Sequence, residues 1–175
     1  MNTNNLLITQ YEILQRQIPL LLKDLTLEQI HWQPAAGANS IGFLLWHALR
    51  AWDSYFGLIE NKPELYEAGG WPQRFGFDTS GRGVEGSEMG TGFTAQDVRI
   101  VRPRPEALLE YLEALFQATM RHLEAASAEG LSQTMVVPWW PTPPTVARVH
   151  THILAHSYMH LGEAQYVLGL LDLNW

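Results

Sequence analysis

Four polar residues near the C-terminus recur at helical spacing in an otherwise apolar segment. At about 100° per residue, His152, His156, His160 and Glu163 fall within one narrow stripe of a helix. A packed core would normally place Leu or Ile at such positions, whereas imidazoles four residues apart on a helix can hold one metal ion together. The segment therefore predicts a long helix that carries part of a metal site.

Three further segments show the same helical periodicity of apolar residues. Together with the C-terminal one, they are residues 5–23, 41–56, 106–126 and 145–171. Ser40 and Thr145 stand where helix N-caps are expected. No segment alternates apolar and polar residues as a strand would, so we predict an all-α fold, an up-and-down four-helix bundle. The long, Gly-rich connection at 61–102, between the second and third helices, leaves room for a crossover, so the packing order stays open.

Composition limits the kind of protein this can be. The 175 residues, 46% of them hydrophobic, suit one globular domain spanning 1–175. There is no cysteine, so any metal must take nitrogen or oxygen ligands. A net charge of −7 and the absence of Lys/Arg clusters argue against a nucleic-acid partner. The N-terminus lacks a signal-peptide pattern and no segment is long and apolar enough for a bilayer, so we expect a cytoplasmic protein with no membrane partner.

His47, on the second helix, is the candidate that completes the metal site. It lies at the flank of the apolar face of that helix. A lone histidine there is more often a hydrogen-bonded, half-buried residue than a ligand. With His156 and His160, however, it would form a three-imidazole site for Zn²⁺ or another late first-row divalent ion, with one coordination position open. The alternative is a histidine-bearing core without metal.

The roles of the remaining polar residues are less defined. His152 is a fourth ligand, a partner of a ligand or a proton shuttle, and Glu163 orients an imidazole, replaces a ligand or is an ordinary helix acid. We expect Arg50 and Asp53 to point away from the core and His122 to be solvated. Trp139 and Trp140 either line a pocket or plug one end of the bundle. The Gly81–Gly86 match to a dinucleotide-binding pattern is spurious, because no strand precedes it.

Several short motifs resemble the DinB-like superfamily. They are LTLEQI at 25–30, Pro34, NSIGFLLWHA at 39–48 and HILAHSYMHLGE at 152–163. The resemblance covers nearly the whole chain, and a histidine on the second helix combined with a pair on the last is its most specific part. It implies a four-helix bundle, commonly dimeric, that binds zinc or nickel through three histidines, which correspond to His47, His156 and His160.

The resemblance also implies a reaction class. The family includes thiol-dependent S-transferases and an isomerase that use low-molecular-weight thiols. We therefore expect a small-molecule substrate and a thiol co-substrate, with His152 and Glu163 as candidate catalytic residues and Tyr158 behind them. A hydrolase that activates a metal-bound water and a non-catalytic, metal-stabilised binding module are the alternatives.

Overall fold

The computed structural model describes residues 3–171, and over that range the chain is helical, with one isolated β-bridge between Thr134 and Thr145. The predicted all-α class is confirmed. The α-helices are α1 (Thr3–Leu22), α2 (Leu27–His31), α3 (Ile41–Glu60), α4 (Leu65–Ala68), α5 (Trp71–Phe75), α6 (Ala95–Ile100), α7 (Pro105–Ala125), α8 (Ala128–Ser132) and α9 (Val146–Leu170), with a 3₁₀ turn at Val84–Gly86. In the part of the chain described, no helix is long and apolar enough to cross a membrane.

Two of the long helices, α3 and α9, begin where the sequence supplies a cap. The hydroxyl of Ser40 accepts a hydrogen bond from the Phe43 N–H at the start of α3, and that of Thr145 accepts one from the Arg148 N–H at the start of α9. Each bond satisfies an amide that the first helical turn leaves without a partner. At the other end of α3, Asn61 adopts the left-handed conformation and stops the helix.

The four long helices pack around one hydrophobic core. α3 lies against α9 and α7, and α1 lies against α7 and α9. Large side chains that are almost completely buried fill the space between them, among them Tyr11, Trp46, Trp52, Leu108 and Tyr111. Because α3 and α9 share the most extensive contact of any pair, side chains on their facing surfaces are brought close together.

Arg50 and Asp53 are buried, and the expectation that they point away from the core is wrong. Their exposed fractions are 4% and 1%. The Asp53 carboxylate accepts hydrogen bonds from the N–H groups of Leu65 (2.9 Å) and Tyr66 (2.7 Å) and from the Tyr111 hydroxyl (2.5 Å). Burial raises the pKa of Asp53, and these bonds oppose the rise. The reason for the misplacement is that the start of the 61–104 connection covers the outer face of α3.

The rest of that connection is folded onto the same helix. Phe77 and Phe93 pack against Trp46, with ring centroids 5.6 and 6.2 Å from it, and Phe93 also contacts Phe43. Arg82 forms an ion pair with Asp97 within the connection. No strand precedes the glycine pattern at 81–86 within residues 3–171, and its last residues form the 3₁₀ turn. The connection therefore forms a layer over α3.

Candidate metal centre

Three imidazoles from α3 and α9 converge in the structure. The ring centroids of His47 lie 5.0 Å from His156 and 4.8 Å from His160, and the latter two rings are 4.4 Å apart. One nitrogen of each ring lies within 4.8 Å of the other two, a grouping able to hold a metal ion. His156 and His160 share a face because they are one turn apart on α9, and α3 supplies His47 from the opposite side.

Hydrogen bonds fix the orientation of two of the three rings. Nδ1 of His47 lies 2.6 Å from the Met89 carbonyl oxygen, and Nδ1 of His160 lies 2.7 Å from a carboxylate oxygen of Glu163. Both partners can only accept, so each Nδ1 carries the proton and each Nε2 presents a lone pair. Metal-binding histidines are commonly oriented by such partners.

The nitrogens of His156 and His160 are spaced as a metal would require. Their Nε2 atoms are 3.2 Å apart, and two ligands at 2.0–2.1 Å on a tetrahedral ion would be separated by about 3.3 Å. Nδ1 of His156 is buried and has no hydrogen-bond partner in the described chain. With its proton on Nδ1, His156 presents the Nε2 lone pair toward His160. The protonation pattern that presents both Nε2 lone pairs needs a cation between them, so these residues fit a divalent ion.

Burial keeps His156 and His47 in the form that binds metal. Desolvation, and after it the neighbouring histidines His160, His47 and His152, lower the pKa of His156 to about 3. Desolvation also lowers the pKa of His47, although the bond to Met89 opposes it. Neutral imidazoles are the metal-binding species, so little proton release is needed before coordination.

The segment that holds His47 has no evident sequence signal. The Met89 acceptor is a backbone carbonyl, and Gly90 beside it has a φ of +110°. A Cβ at residue 90 would lie 2.7 Å from Nδ1 of His47, closer than real side chains approach. On its other side the imidazole stacks on Phe43, with centroids 5.9 Å apart and planes inclined by 13°. Only glycine fits between this backbone and the imidazole.

His152 lies next to the three rings but outside the group. Its ring is 6.1 Å from His156, 4.8 Å from Tyr55 and 5.0 Å from Trp140. The Tyr55 hydroxyl accepts hydrogen bonds from the indoles of Trp139 and Trp140. Trp140 and His152 line a recess of about 430 Å³. Trp139 is 54% exposed, whereas Trp140 is half-buried against the core and lines the recess.

Other predicted candidates lie elsewhere. The Tyr158 hydroxyl donates to the Gln10 carbonyl oxygen. The expectation that His122 is solvated is wrong: the ring is largely buried, and its Nδ1 lies 2.5 Å from a Glu60 carboxylate oxygen. Two further histidines lie outside the site: Nε2 of His31 bonds the Pro103 carbonyl oxygen, and His150, which no sequence pattern indicated, is completely buried.

An all-helical fold with three imidazoles converging from two packed helices defines a helical protein with a candidate mononuclear metal centre. The chain belongs to the DinB superfamily, whose family model matches residues 10–164. It is also similar to a conserved protein from Enterococcus faecalis of known crystal structure, with 21% identity, 95% of each chain covered and a TM-score of 0.81. That likeness shows a shared fold. No curated protein matches the chain.

Proposed function

We propose that this protein is a metal-dependent enzyme that binds one zinc or nickel ion through His47, His156 and His160. The observation that supports the proposal is the convergence of these imidazoles, two of them with Nδ1 bonded to a fixed acceptor. Three protein ligands leave a coordination position open, as in catalytic rather than structural zinc sites.

The proposed reaction is transfer of a low-molecular-weight thiol to a small electrophile. A divalent ion in this site supplies Lewis acidity, which lowers the pKa of a thiol that coordinates it. In the transfer, sulfur bonds to the electrophilic carbon, the leaving group departs with its bonding electrons, and the thiol proton passes to a base. Because the chain has no cysteine, the thiol must come as a co-substrate.

Side chains around the imidazoles have separate proposed roles. Glu163 is a positioning residue, since it holds the His160 ring. His152 is the candidate proton acceptor, because it lies between the ring of His156 and the recess that it lines with Trp140. The recess gives an electrophile an aromatic surface beside the reacting groups.

The family resemblance supports proposals about the whole molecule. Residues 1–175 would form one domain, with the long helices in an up-and-down four-helix bundle, and two copies would associate in the cytoplasm. The net charge of −7 favours a small-molecule substrate over nucleic acid.

The test combines metal analysis with a turnover screen. Protein purified without an affinity tag is expected to carry about one divalent ion per chain. A panel of thiols is then screened against activated and epoxide-type electrophiles. Both His47→Gln and His156→Gln should lose the ion and at least 100-fold in turnover, roughly what loss of a Lewis acid costs, while keeping their helical circular dichroism. His31→Gln, outside the site, is the matched control.

Each other outcome has a definite meaning. Less than a tenth of an ion per chain would overturn the metal site. Bound metal with turnover of esters or amides but of no thiol would replace transfer by hydrolysis. Bound metal with no turnover, and a melting temperature that falls on chelation, would identify a structural site.

A further inference from the structure

A second pair of histidines, His122 on α7 and His150 on α9, takes no part in the candidate metal centre. The ring centroids are 5.3 Å apart and the planes are inclined by 39°. This separation is close to the 4.4–5.0 Å spacings within the first group. His150 is completely buried, and the His122 side chain is 18% exposed.

Each of these rings has one nitrogen satisfied and one without a partner. Nδ1 of His122 bonds the Glu60 carboxylate at 2.5 Å, and Nδ1 of His150 lies 3.0 Å from the Tyr11 hydroxyl. Both Nε2 atoms are buried and lack any hydrogen-bond partner among residues 3–171. Buried polar atoms are nearly always paired, so two neighbouring imidazoles with bare Nε2 atoms indicate something that binds both.

We propose that His122 and His150 bind a second, late first-row metal ion through their Nε2 atoms. Imidazole is a preferred ligand of such ions, and Cu²⁺ binds a given nitrogen site most tightly of the divalent series. The Nδ1 contacts match the outer partners of metal-binding histidines, a carboxylate on one ring and a hydroxyl on the other. The Tyr11 hydroxyl can accept from Nδ1–H, which leaves Nε2 of His150 free to coordinate.

One ring of the pair borders a surface cleft, and the other is enclosed in the core. His122, Glu60 and Phe56 line a cleft of about 530 Å³ on the surface formed by α3 and α7. Burial lowers the pKa of His150 to about 3, so the ring is neutral at physiological pH. Lys62 and Arg121 also line the cleft and repel a cation. With two imidazoles instead of three, this site should bind more weakly than the first.

The experiment isolates the second pair. A variant with His47, His152, His156 and His160 all replaced by Gln retains only His31, His122 and His150. Titration with Cu²⁺, followed by electron paramagnetic resonance, should show about one bound ion with nitrogen hyperfine splitting. Adding His150→Gln should weaken binding at least 10-fold, and Glu60→Gln should weaken it by roughly 10-fold or more. His31→Gln is the matched control and should change nothing.

Two results would overturn the proposal. One is the absence of nitrogen-ligated copper in the variant whose four histidines are replaced; the other is equal copper affinity after His150→Gln and after His31→Gln. If the variant with four histidines replaced does not fold, the same question can be answered with the wild-type chain. There His122→Gln, at the edge of the core, must reduce the number of bound copper ions by one, whatever the count at the first site. An unchanged count in that variant would also refute the site. Because the readout is copper at the second pair, the first site can fail without affecting the answer.

Discussion

At the scale of single residues, Gly90 sets the position of His47. Its φ of +110° is one that L-residues rarely adopt, and its missing side chain lets the Met89 carbonyl reach Nδ1 of that imidazole. A methyl group there would force the imidazole and the backbone apart. The residue thus acts on the metal site without contacting a metal.

We predict that Gly90→Ala weakens metal binding by roughly 10- to 100-fold, the usual effect of losing a partner that orients a ligand. The measurement is competition with a chromophoric chelator. Gly86→Ala is the matched control, since Gly86 also has a positive φ (+68°) but faces open space. Both variants should lose stability from backbone strain, of the order of 1–3 kcal/mol. Equal metal affinities in the two would show that Gly90 has no special role.

The sequence indicates the candidate ligand side chains and one of the two groups that orient them, Glu163, but not the other. His156 and His160 follow from helical spacing, and Glu163 lies one turn from His160 on the same face. The Met89 acceptor is a backbone carbonyl, which every residue type has, so the sequence at position 89 cannot indicate it. His150 was overlooked for a related reason: its partners, Tyr11 and His122, lie on other helices.

At the scale of elements, α3 is enclosed because the connection that follows it folds back over its outer face. The Asp53 carboxylate receives the first two N–H groups of α4 and the Tyr111 hydroxyl of α7, and thus joins three helices. Next to it, Arg50 bonds Glu64 at 2.6 Å and stacks over the Tyr66 ring at 3.7 Å. These contacts hold the start of the connection against α3.

Asp53→Ala is expected to lower the free energy of unfolding by about 3 kcal/mol, because it leaves three donors without their acceptor and removes one of the two carboxylates beside the buried Arg50 guanidinium. Urea denaturation measures the loss. Asp78→Ala provides the comparison, since Asp78 is exposed and accepts only from Ser80. That change should cost less than about 1 kcal/mol. A similar loss in both would mean that the buried network contributes little.

The capped starts of α3 and α9 were predictable, whereas the end of α3, expected at 56, lies at Glu60, and the helix faces were not predictable. A cap depends on residues three apart, as with Ser40 and Phe43, so local sequence is sufficient. Whether a face is covered depends on segments far along the chain. In a helix considered alone, charged residues at positions 50 and 53 indicate a face exposed to solvent. In the folded protein the connection covers that face and buries both side chains.

At the scale of the whole molecule, metal binding should stabilise the fold, because the three imidazoles come together only when α3 and α9 are packed. Free metal at 100 times its Kd adds about 2.7 kcal/mol. For a chain of this size that corresponds to a Tm increase of roughly 5–10 °C. Calorimetry with and without a chelator measures it. His47→Gln should melt at the same temperature in both, and a chelator effect that persists there would place the ion elsewhere.

The all-helical class and family membership were predictable from the whole sequence, and the chemistry of the reaction was not. Apolar periodicity and the histidine motifs are distributed over most of the chain, and both findings rest on many residues. In the proposed function, the recess beside His152 would select the substrate. Trp140 lines that recess, and Tyr55 contacts both Trp140 and His152. Neither aromatic residue carries a pattern that identifies a ligand.

Two of the three imidazoles come from one helix and the third comes from a distant helix, and this affects when a metal could bind during folding. His156 and His160 are neighbours on one helix, so they can capture an ion as soon as that helix forms. His47 is distant in the chain, and its ring is oriented only once the Met89 carbonyl has docked. Completion of the proposed coordination sphere would then require this long-range docking, so that a nascent chain would reach its full affinity for metal only once α3, α9 and the connection are packed together.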